Sequence, residues 1–194
     1  AGTVLYIDGL RVSQGTGLGM RVDDAFAWVD RSRIVQNSGG GVLAENGAEL
    51  TLRNCFVGGA SADVDAIAVN SSTLAMAYST VGAGSVIVAQ TRALYCENAA
   101  TADVRNSILV SLDTMPEVVC PGVVVTNSAS EAEVGFNATW FNGYATGDFS
   151  LSASGAMTFA DVALWSNGDP ATDIDGDPRP AADATPDYAG ADVP

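Results

Sequence analysis

Two residue types are missing from this chain: it has no lysine and no histidine. All its positive charge rests on eight arginines, against 23 acids, for a net charge of −15. That balance takes nucleic acid off the list of partners, because phosphate contacts need clustered cations. It argues equally against anionic membrane surfaces. Eight of the 23 acids lie beyond Phe159, and an excess of this kind reads first as a solubility device. With no histidine and only three cysteines, none in a paired motif, the chain has no zinc pattern. No run of 18 apolar residues occurs, so no membrane insertion is expected. Aromatic residues are scarce, 7% in a chain that is 47% hydrophobic. A core built from that material is narrow and lined by small and β-branched side chains.

What is present is a repeat. The stretches Ile7-Asp8-Gly9-Leu10-Arg11-Val12, Val29 to Ile34, Leu52 to Val57, Met76 to Val81 and Val104 to Leu109 superpose at intervals of 22, 23, 24 and 28 residues. The first and sixth places are apolar in all five, and the fourth is small or apolar: Leu10, Ser32, Cys55, Ser79, Ser107. Two and four places upstream come further small or apolar residues, from Leu5 and Thr3 in the first unit to Ala102 and Ala100 in the fifth. Alternation with period two marks a strand with one buried face. A unit just above 20 residues with no helical spacing marks one coil of a parallel β-solenoid. The fold expected is all-β, a right-handed parallel β-helix of five to six coils over residues 1–135. An irregular acidic segment, 136–194, caps it within a single domain. The opening Ala1-Gly2-Thr3 already lies inside a coil, so the expectation is an excised or processed piece whose upstream part carries a signal and further coils.

The inward pattern breaks step after the first place of each stretch, which demands a bend. Gly9, Asn54 and Asn106 sit in that gap and tolerate left-handed backbone, while Arg31 and Tyr78 interrupt the column. A second corner falls six residues earlier, at Asp23, Asn46, Asn70 and Asn98, where stacked amides can hydrogen-bond from coil to coil. Lengths vary at 61–65, 82–92 and 111–121, on the side of a solenoid often used for binding. Cys55 occupies an inward place and reads as a buried free thiol. Cys96 and Cys120 stand 24 residues, one coil, apart. In an extracellular setting a disulfide there would clip the insertion loop, and bridged and free forms both remain open.

Beyond the coils, Val104-Arg105-Asn106-Ser107-Ile108-Leu109, Gly147-Asp148-Phe149-Ser150-Leu151-Ser152, Thr172-Asp173-Ile174-Asp175-Gly176-Asp177-Pro178-Arg179-Pro180 and Pro186-Asp187-Tyr188-Ala189-Gly190-Ala191-Asp192 follow in order. This order resembles bacterial secreted or surface proteins with pectate-lyase-like parallel β-helices and a C-terminal module found beside surface-anchoring signals. The resemblance implies a fold and an extracellular or cell-surface address. It implies no single activity, since the fold hosts lyases, hydrolases, adhesins and spacers.

Candidate sites divide between the tail and the outward columns. Alternating carboxylates at Asp173, Asp175 and Asp177 invite calcium. The EF-hand spacing fails, however, with Pro178 where its glycine belongs, so the segment reads as a tight turn and no metal or cofactor is expected. Arg179 is expected to pair with one of these aspartates or with a carbonyl near the coil wall. On the outward columns, Tyr6 and Trp28 on adjacent coils, beside Asp8, Asp30 and Arg53, resemble a sugar-stacking patch. The competing account is that Tyr6, Trp28 and Phe26 are covered by the aromatic tail (Trp140, Phe141, Tyr144, Phe149) or by an upstream domain. A uronate lyase would have to use arginine as base, and Arg53 and Arg105 lie roughly 10 Å apart, two coils at about 4.8 Å each. A glycosidase needs two carboxyls about 5 to 9.5 Å apart, which Asp8 and Asp30 can satisfy. Three functions follow: a non-catalytic surface module that binds polysaccharide or acts as a spacer, a polysaccharide lyase or hydrolase, and a unit that stacks end to end through its N-terminal coil or joins further coils there.

Overall fold

The computed structural model describes residues 4–59, 63–84, 91–111, 116–130 and 138–194. Three parallel sheets run the length of the solenoid. Sheet A stacks Val4–Asp8, Phe26–Asp30, Glu49–Arg53, Thr73–Ala77, Thr101–Arg105 and Val124–Thr126 in chain order. Sheet B stacks Arg11–Ser13, Arg33–Val35, Phe56–Gly58, Thr80–Ala83, Ile108–Ser111 and Ala129–Ser130. Sheet C stacks Met20–Asp23, Val42–Glu45, Ile67–Asn70, Leu94–Glu97 and Val118–Val119. The chain thus makes five full coils and part of a sixth. The register is the one the repeat predicts: Val29, Leu52, Met76 and Val104 sit one above another, and all four are buried.

The corner between sheets A and B is left-handed in every coil: Gly9, Arg31, Asn54, Tyr78, Asn106 and Asn127 have φ between 45° and 67°. Just inside it runs a ladder of hydroxyls. Ser32, Ser79, Ser107 and Ser128 each donate to the carbonyl two residues back. Each also accepts the N–H of the coil before, from Leu10, Cys55, Ser79 and Ser107 at 3.0–3.2 Å. Otherwise unpaired main-chain groups at a sharp bend are satisfied in this way. Cys55 takes the third rung, its Sγ 3.2 Å from the Arg53 carbonyl, and it is the free, buried cysteine.

At the corner between sheets C and A the amides are joined in pairs, Asn46 to Asp23 at 2.8 Å and Asn98 to Asn70 at 2.9 Å. The expected continuous column does not form because the corners differ in length. Two residues connect Asp23 to Phe26 and Asn70 to Thr73, but three connect Glu45 to Glu49 and Glu97 to Thr101. Cys96, in Leu94–Glu97 of sheet C, is bridged to Cys120, which directly follows the neighbouring strand Val118–Val119. Of the variable segments, residues 61–62, 85–90 and 112–115 lie outside the described residues. What is described of their flanks is tied across coils, Arg92 donating to Asp65 from Nε and Nη2 at 2.8 Å.

The segment expected to be irregular has elements of its own. A bulged antiparallel pair, Phe141–Gly143 with Asp148–Leu151, leads into helix α1 at Ala153–Phe159, capped by Ser152. A second antiparallel pair joins Ala163–Trp165 to Thr185–Asp187. The aromatics of this tail do not cover Tyr6 and Trp28. They form a second core on the outer face of sheet B, where Trp140, Phe141, Tyr144, Phe149 and Phe159 pack with Val35, Phe56, Tyr78, Ile108 and Val110. Glycine makes the room: a Cβ on Gly82 would stand 2.6 Å from the Phe149 ring.

Candidate functional site: the outer face of sheet A

Sheet A keeps its outer face clear of the tail's aromatic core. Val4 lies beside Phe26 and Tyr6 beside Trp28 on the first two coils, with Tyr6 60% and Trp28 41% exposed. Strand alternation sends these side chains outward together, about 4.8 Å apart along the axis. Thr51 and Ala75 continue the Trp28 column toward Asp103. Their small side chains leave a groove of about 180 Å³ behind the indole, walled by Arg53, Arg105 and Gly168 of the tail.

A rail of ion pairs runs along one side of this trough. Arg31 donates to Asp8, with Nε 2.8 Å from Oδ1. Arg53 donates to Asp30, with Nε 2.9 Å from Oδ2, and Arg105 pairs with Asp169 from the tail. The Arg53 guanidinium also lies 5.3 Å from the Trp28 ring centre, a cation–π contact that steadies the indole. The bond from Arg31 holds the Asp8 carboxyl below its usual range. Asp169 raises Arg105 in turn. Asp8 and Asp30 are register neighbours as expected, yet Asp30 is only 4% exposed, roofed by Arg53. Of the five residues read as a sugar patch, Tyr6, Trp28, Asp8 and Arg53 are brought to one surface and Asp30 is placed beneath it. Arg31 joins this surface through Asp8, although in the sequence it shows only as an interruption in the asparagine column.

The acidic motif of the tail is a structural turn. Asp173 Oδ1 accepts the N–H groups of Asp175, Gly176 and Asp177 at 2.8–2.9 Å, and Oδ2 accepts that of Val193. A carboxylate so saturated has little left for a cation, and the described residues hold no metal-ligating cluster. Arg179 is buried and pairs with Asp187 at 2.9 Å, not with the motif's own aspartates. It also donates to the Gly190 carbonyl and lies 4.1 Å from the Tyr78 ring centre. Tyr78 therefore stands in the corner column as the floor for this arginine. Asn54 and Asn106, beside it, also reach the tail: Asn54 donates to the Thr172 carbonyl, and Asn106 exchanges two bonds with Leu164.

No family model, curated protein or solved structure matches the chain. Among the described residues, no helix is long and apolar enough to cross a membrane. What is shown is the parallel β-solenoid and the surfaces it presents.

Proposed function

We propose that this chain is a non-catalytic module of a secreted or cell-surface β-helix protein of the pectate-lyase-like kind, and that it holds a polysaccharide strand along the outer face of sheet A. The observation that carries this reading is the uncovered pair Tyr6 and Trp28 on adjacent coils. Their rings offer flat apolar faces, and the flanking Asp8–Arg31 and Asp30–Arg53 pairs offer fixed hydrogen-bonding groups. The Cys96–Cys120 bridge supports an oxidising address. Binding is favoured over glycoside hydrolysis on this face because hydrolysis needs a carboxyl that keeps its proton. Asp8 is held charged by Arg31, and Asp30 is covered. A lyase using arginine would have to remove a proton from a guanidinium that a carboxylate holds in place.

A glycan array screened with and without calcium, followed by titration of the hits, tests the proposal. Trp28→Ala is expected to weaken binding about tenfold, since one ring contact contributes about 0.5–1.5 kcal/mol beyond its area. An array without hits, or equal affinity in the variant, would remove the basis for the reading. A second reading rests on the first coil, where Leu5 belongs to the inward column yet is 49% exposed. The strands of this coil are paired on one side only, so the other edge would pair with a second copy or with further coils, and light scattering at two concentrations tests the first.

A further inference from the structure

Coils one and two carry the same pattern on sheet B and the corner after it: Arg11-Val12-Ser13-Gln14 and Arg33-Ile34-Val35-Gln36. Arg11 is the register partner of Arg33. Both glutamines are left-handed, with φ of 60° and 57°. One set is therefore the other displaced by a single coil, about 4.8 Å.

On coil two both polar side chains clasp the tail. Arg33 Nη2 donates to Asp175 Oδ1 at 2.6 Å, with the guanidinium 5.3 Å from the Phe56 ring centre. Gln36 Nε2 donates to the Ala145 carbonyl at 2.9 Å. On coil one the same two groups are idle. Each of the other seven arginines lies within ion-pair distance of a carboxylate, and among the described residues Arg11 does not. The Gln14 amide has no hydrogen-bond partner among them either.

Among the described residues the tail's coverage of sheet B ends at coil two. Gly147 rests on Val35, where a Cβ would come within 2.7 Å of the valine Cβ. Past that point Arg11 and Gln14 face a cleft of about 630 Å³, bounded by Thr146, Asp148 and Asp175. Neither acid competes for Arg11: Asp175 is held by Arg33, and Asp148 accepts from the Ser150 N–H and hydroxyl.

We propose that coil one is a vacant clasp for an acidic peptide segment, which places a side-chain carboxylate on Arg11 and a main-chain carbonyl on Gln14. The tail sets the precedent, since polypeptide supplies both partners to the identical pair one coil away. Guanidinium and carboxylate make a charge-assisted, planar contact. In a chain of net charge −15, a guanidinium free of any acid is an uncommon resource. This clasp lies on a different sheet from Trp28, so it stands or falls independently of glycan binding.

The test is calorimetric titration of the full chain with a capped synthetic decapeptide matching residues 171–180, which carries the carboxylate that Arg33 takes. A second peptide replaces its three aspartates with asparagine. The acidic peptide is expected to bind the native chain. Arg11→Ala should weaken it at least tenfold, and the asparagine peptide should lose a similar factor. Gln14→Ala should cost roughly threefold. Both variants are at exposed positions, and circular dichroism should match the native chain. No heat with the acidic peptide at millimolar concentration would overturn the proposal, as would an unchanged affinity in Arg11→Ala. Titration with glucuronate in place of peptide checks the ligand class: an Arg11-dependent response to it alone would reassign the clasp to a sugar acid.

Discussion

Arg179 shows how one side chain can join the tail to the coils. Its guanidinium meets the Asp187 carboxylate, two backbone carbonyls and the Tyr78 ring while wholly removed from water. Removing it strands a buried carboxylate, a loss of about 3–5 kcal/mol for such pairs. Arg179→Ala is accordingly expected to expose the tail to protease while the strands of the coils stay resistant, and equal cleavage of both would contradict this. The sequence allowed an arginine near acids to be read as a latch, but not which acid it takes. Of the three nearer aspartates, Asp173 is taken by main-chain N–H groups and Asp175 by Arg33, while Asp177 is exposed and Arg179 is buried. Asp187 becomes available only because Thr185–Asp187 folds back on Ala163–Trp165. Tyr78 was equally opaque. A bulky residue with φ of 48° looks like a misfit until its partner across the interface is known.

At the level of the coil, legibility was high, and the reason is mechanical. Each strand is buried on one face, so a one-residue slip would turn its apolar set outward. Leu52, between Val29 and Met76, has no exposure, whereas Thr51 faces the trough beside Trp28. Leu52→Asp is expected to prevent folding, because an unpaired charge would enter the core. Thr51→Asp should shift stability by about 0.5 kcal/mol or less. Thermal melting of the two variants separates these outcomes, and similar melting curves would mean that the faces are misassigned. The tail was far less legible. Its strands are three or four residues long and pair antiparallel, too short for a period to emerge. Where its aromatics go depends on Gly82 of sheet B, whose missing side chain admits the Phe149 and Tyr144 rings and leaves no apolar signal of its own.

In the molecule as a whole, the tail should respond to pH at Asp192, next to the seam where the Ala191 N–H donates to Thr80 Oγ1 of the coils. Burial pushes the Asp192 carboxyl up to about 6, against an ordinary value of 3.8, with repulsion from Asp173, Asp175 and Asp148 acting in the same direction and the Leu151 N–H opposing. Between about pH 4 and 6 the folded chain thus holds a proton there that the unfolded chain has released. This contribution is complete below about 4 and is lost as pH rises through about 6. Asp192→Asn keeps an acceptor for Leu151 and carries no charge, so the variant should melt above the native protein at pH 7 and close to it near pH 4. A constant offset at both values would show that Asp192 does not titrate in this range. The same seam has a consequence for growth by duplication. The tail grips coil two through Gln36 and coil five through Asn106, so it works as a gauge of fixed span. An extra turn added between those grips would pull them out of reach. One added ahead of Val4 would leave the gauge untouched, so a repeat of this kind tolerates duplication only outside the span that the tail measures.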